Sequence, residues 1–90
     1  MIKTFTHTID ATPMQFCATI GNGPGGNRVI ISRAEAPEAL VLMDIEGAFA
    51  AIKARLESPE AFIDDAIAKA IDGGLIEQAL RLGQPQTGSV

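Results

Sequence analysis

The sequence predicts an α+β domain: an antiparallel meander of three or four strands, covered on one face by two helices plus a short C-terminal helix. Two observations predict it. Before residue 34, apolar and polar residues alternate with period two in three separate runs. After residue 44, apolar residues instead recur at helical spacing. Ninety residues bound this to one domain, read as 1–83, with 84–90 as a flexible C-terminal tail.

The first run places Thr4, Thr6 and Thr8 on one face and Phe5, His7 and Ile9 on the other, a half-buried strand rich in β-branched residues. Asp10-Ala-Thr-Pro13 supplies turn chemistry. A second strand follows, with Met14, Phe16, Ala18 and Ile20 opposite Gln15, Cys17 and Thr19. Residues 28–33 make a third, reached through a glycine-rich hairpin. Residues 39–43 (Ala-Leu-Val-Leu-Met) suit a strand or the opening of a helix; periodicity favours neither, and the strand is preferred with Asp44 capping the next helix.

In that next helix Ile45, Phe49, Ile52 and Leu56 form one stripe. Ser58-Pro59-Glu60 restarts the chain as a second helix with a cap, a first-turn proline and an acid near the positive dipole end. Its apolar face is Ile63, Ala66, Ile67, Ala70 and Ile71, and Asp72-Gly73-Gly74 ends it with a left-handed cap. A short helix over 75–82 stops at Gly83 and Pro85. These helices are expected to pack on Met14, Phe16, Ile20, Val29 and Ile31.

The composition excludes several functions. Hydrophobic residues are 47% of the chain, so it folds, but no run is long enough for a membrane helix. The net charge is −4, divided as +2 over residues 1–33 and −6 over residues 34–90. That balance argues against nucleic acid, since duplex binding rests on neutralising phosphates with clustered Lys and Arg. The alanine and glycines at Ala70-x-x-x-Gly74 before a short helix do not make a DNA reader, because that helix carries Glu77 and only Arg81. One cysteine, one histidine and no EF-hand loop leave no metal set, and Asp64-Asp65 diverge by about 100° on a helix. No metal or other cofactor is expected. A lone Cys17 without an internal disulfide partner and an N-terminus lacking a signal-like apolar run point to a cytoplasmic protein.

Only one stretch resembles a chemical motif. Gly21-x-Gly23-x-x-Gly26 spells the dinucleotide-binding fingerprint, and Asp44 follows at a ribose-binding distance. That motif works by opening a helix whose N-terminus meets the pyrophosphate. Here a strand follows instead. The strand–loop–strand setting is nearer to a kinase glycine-rich loop, but that family's catalytic and metal-binding motifs are missing. A hairpin of six or seven loop residues whose glycines supply positive φ is the simpler expectation. Its backbone N–H groups, with Arg28 at the edge, could still form an anion nest.

His7 and Cys17 have no catalytic partners in the sequence, so a non-enzymatic role is expected. The reading is a small protein-interaction module that binds a protein partner, as an inhibitor or regulator. An open sheet edge would serve for that contact, or for pairing into a homodimer. The alternative is a small-ligand binder that holds an anionic group at the Gly21–Arg28 hairpin. Candidate binding residues are Gly21, Asn22, Gly23, Gly25, Gly26, Asn27, Arg28 and Arg33.

Overall fold

The computed structural model describes residues 2–23, 26–36, 38–44 and 59–89. In chain order these form β1 (Ile2–Ile9), β2 (Thr12–Gly23), β3 (Gly26–Arg33), β4 (Ala39–Asp44), α1 (Pro59–Asp72), α2 (Leu75–Leu82) and β5 (Gln86–Ser89). The five strands make one sheet in the order β1-β2-β3-β4-β5. The α+β class holds, and residues 39–44 are a strand. The sheet has five strands rather than three or four, and it is mixed: β5 runs parallel to β4. Residues 86–89, read from sequence as part of a tail, are that fifth strand. The helix expected over 45–57 lies outside the described residues.

Pairing explains each strand. Phe5 sits opposite Phe16, with ring centroids 5.5 Å apart and planes 26° from parallel. Such offset aromatic pairs contribute beyond their buried area. Asp10 and Ala11 form the turn into β2, at φ 50° and 64°. Two consecutive positive φ values are the signature of a type I′ hairpin turn, whose twist matches the flanking strands. Thr12 and Pro13, expected in the turn, already belong to β2. The proline is tolerated because this end of β2 pairs with β1 alone, so no second ladder needs its missing N–H.

Register sorts the residues into two faces. Phe16, Ala18, Val29, Ile31, Val41 and Met43 point to the helices and are buried. Ile63, Ala66, Ile67 and Ala70 of α1, with Ile76 of α2, close over them. Of the expected core positions, Phe16, Val29 and Ile31 are fully enclosed, while Met14 and Ile20 lie partly buried at its margin. Between β3 and β4 the register shifts after Ile31, leaving Leu40 as a bulged residue against the core. The opposite face carries Thr4, Cys17, Thr19, Ile30, Ser32 and Leu42, and among the described residues neither helix covers it.

Glycine chemistry ends the helices as expected. Gly74 and Gly83 adopt the left-handed region at φ 67° and 66°, and the Gly83 N–H donates to the Ala79 carbonyl at 2.9 Å. Gly88 has a different reason. A Cβ there would lie 2.9 Å from Met43 Sδ and 3.2 Å from Leu75 Cδ1, so β5 seats only where a side chain is lacking.

Candidate functional site

The hairpin that carries the glycine motif is tighter than expected. Pairing runs Gly21 to Arg28, Asn22 to Asn27 and Gly23 to Gly26, so ladder rather than loop occupies most of the stretch. Gly25, with Pro24, lies outside the described residues. Gly21 is extended strand, and its requirement is space: a Cβ would stand 3.0 Å from Ile30 Cδ1. No helix begins at this hairpin; β3 follows directly.

Arg28 sits beside Gly21, and its Nη2 forms an ion pair with Asp44 Oδ1 at 3.4 Å across the β3–β4 ladder. Its Nε is buried without a hydrogen-bond partner among the described residues. The ion pair with Asp44 ties β3 to β4, while the Arg28 side chain remains 33% exposed. Asp44, which the sequence offers as a ribose-binding or capping acid, is thereby the cross-strand partner of Arg28 and the last residue of β4.

Arg33 is not part of that group. It stands at the other end of β3, opposite Phe16, on the helix-facing side. It lies five positions along the strand from Arg28, about 17 Å. There it borders a cavity of about 520 Å³ between Leu40, Leu80 and Pro85, and it pairs with Glu35 at 3.9 Å. Among the described residues, the cavity wall holds no His, Cys, Ser or Thr. Among the described residues, no three metal-ligating side chains come together.

His7 and Cys17 lie on opposite faces of the sheet. Cys17 pairs with Thr4 on the open face, and His7 faces the helices with Phe5 and Ile9. They cannot act on one substrate atom. The His7 Nε2–H donates to Glu77 Oε1 of α2. This bond holds the Glu77 carboxyl below its usual range, against the opposing effect of partial burial.

The most distinctive surface is the outer edge of β1, which no strand pairs among the described residues. Natural edges are commonly protected by shortness, proline, a bulge or charge. β5, at the other end of the sheet, is four residues long and follows Pro85. β1 is eight residues long with no proline or bulge. Its open-face side chains are Ile2, Thr4, Thr6 and Thr8, all exposed and uncharged. Its helix-facing charges are answered at once. Lys3 Nζ donates to Glu60 Oε1 at 3.3 Å and to Asp64 Oδ1, both on α1. Those carboxylates, Asp64 foremost, hold the Lys3 ammonium above its usual range.

The sequence announces neither the β1–α1 contacts nor the Arg28–Asp44 pair. Lys3 and Asp64 are 61 positions apart, and only the fold brings them together. Comparison with protein-family models, curated proteins and solved structures gives no significant match. No helix among the described residues is long and apolar enough to cross a membrane.

Proposed function

We propose that this protein is a non-enzymatic interaction module that binds a protein partner by strand addition at β1, as an inhibitor or regulator would. The supporting observation is the eight-residue edge that no described strand pairs and that has neither proline nor bulge, tied to the core by Phe5–Phe16, Lys3–Asp64 and His7–Glu77. Strand addition draws affinity from main-chain hydrogen bonds and specificity from alternate side chains. A pre-ordered edge also lowers the entropy cost of binding. The alternative, an anion held at Gly21–Arg28, has less support because Arg28 is engaged by Asp44.

The test is affinity capture from the native host's lysate with the wild type and with a Thr4→Lys/Thr6→Lys/Thr8→Lys variant. All three positions are exposed, so the variant should melt near the wild type. Lysines on an edge are a natural block to pairing. The expected result is a specific partner held by the wild type and lost by the variant. Equal capture by both proteins removes β1 as the contact surface.

A further inference from the structure

From the cavity between α2 and the β3–β4 connection, we propose a second site, one that binds a free aliphatic α-amino acid as its zwitterion. The cavity, about 520 Å³, falls within the range of roughly 300–1,000 Å³ usual for small-molecule clefts. It lies against β3, β4 and α2 and is separated from the β1 edge by β2, so it goes beyond strand addition and does not depend on it. Its wall is mainly aliphatic, with Ala36, Leu40, Ala79 and Leu80. Two residues of opposite charge, Arg33 and Glu38, complete it. Ser32 pairs with Ala39, and positions 33 and 38 come next in that register, where the chain passes from β3 to β4.

Neither charge is used up within the fold. Arg33 shares the helix-facing side of β3 with Val29 and Ile31, and its side chain is 40% exposed. Its contact with Glu35 at 3.9 Å is too long for a hydrogen bond, and Glu35 is 85% exposed, so water screens the pair. Glu38 is exposed and, among the described residues, forms no hydrogen bond or ion pair, with Arg33 or otherwise. The wall thus holds a cation and an anion kept apart, which suits a ligand carrying both charges. The planar guanidinium matches a carboxylate, and the Glu38 carboxylate accepts from an ammonium. The C-terminal end of α2, at Gly83, adds partial negative charge that also favours an ammonium. An aliphatic side chain then covers Leu40 and Leu80 and leaves water. A bare inorganic anion meets Arg33 alone and gains neither of the other contacts.

The test is titration of the intact protein with L-leucine, followed by amide chemical shifts, against three probes that each lack one part of it. Glycine lacks the aliphatic body, 4-methylpentanoate the ammonium and 3-methylbutylamine the carboxylate. Leucine should shift the amides of Ala36, Leu40 and residues 79–83 saturably. Each probe should bind at least tenfold more weakly, about the effect of losing one charged hydrogen bond or one buried aliphatic side chain. Arg33→Gln and Glu38→Gln should each weaken leucine binding at least tenfold. Arg33→Gln should leave the weak binding of 3-methylbutylamine unchanged, and Glu38→Gln that of 4-methylpentanoate. Neither position is buried, so both variants should melt near the wild type. In the wild type alone, equal affinity for leucine and either singly charged probe overturns the zwitterion reading. Absence of saturable shifts around the cavity with leucine overturns the site.

Discussion

Substituting Gly88 tests whether β5 truly belongs to the sheet. Its position faces the core opposite Met43, which is 2% exposed. A new Cβ would stand 2.9 Å from Met43 Sδ, 3.3 Å from Met43 Cε and 3.2 Å from Leu75 Cδ1. Real contacts need several tenths of an ångström more, and Met43 is enclosed, so something must move. Methionine is unbranched and can yield in part. Gly88→Ala should therefore fall at the low end of overpacking costs, about 1 kcal/mol, and Gly88→Val near the upper end, about 3 kcal/mol. For a domain of this size 1 kcal/mol corresponds to roughly 4–8 °C in Tm. Urea and thermal denaturation read both. Shortening the opposing side chain in Gly88→Ala/Met43→Ala should show coupling above about 0.5 kcal/mol. Wild-type stability in both single variants refutes the seating of β5.

The type I′ turn makes Ala11 the wrong residue for its φ of 64°. Ala11→Gly should stabilise the protein by about 0.5–1 kcal/mol, seen as a higher urea midpoint at unchanged slope. The Glu77 carboxyl is depressed by His7, so its contribution is present above the ordinary value of 4.5 and lost as pH falls through its lower folded value. Glu77→Gln should cost about 1 kcal/mol near neutrality and flatten the acid limb of the stability profile. A thermal-shift panel of nucleotides and inorganic phosphate should be flat. An anion site at Gly21–Arg28 would instead add about 2.7 kcal/mol at 100 times its dissociation constant.

Most of the inner architecture was legible because it depends on local pattern. Alternation around Phe5, Phe16 and Val29 located three strands, and the Ile63-Ala66-Ile67-Ala70 stripe located the face of α1. The glycine caps at Gly74 and Gly83 were legible for the same reason. β5 was not. Gln-Thr-Gly-Ser has no apolar alternation, and it becomes a strand only because β4 offers an edge and Met43 and Leu75 leave a Gly88-sized space. The hairpin was half legible. Its strand–loop–strand setting could be read, but the ladder reaching Gly23 and Gly26 could not, because glycine signals freedom and not the pairing that uses it.

The candidate site was less legible than the fold. Thr4, Thr6 and Thr8 mark a solvent face, yet nothing in the first nine residues says that β1 ends at the edge of the sheet. The acids that border it lie in α1 and α2, more than 50 positions away. Arg28 and Arg33 read as neighbours in sequence, but an odd offset of five positions puts them on opposite faces and at opposite ends of β3.

The central claim is that β1 is the contact surface. Hydrogen exchange of the Ile2–Ile9 amides, measured free and in complex with the captured partner, tests it most directly. The alternate amides that point away from β2 should exchange readily in the free protein and become protected in the complex. Unchanged exchange along β1, with protection appearing elsewhere, would contradict the account.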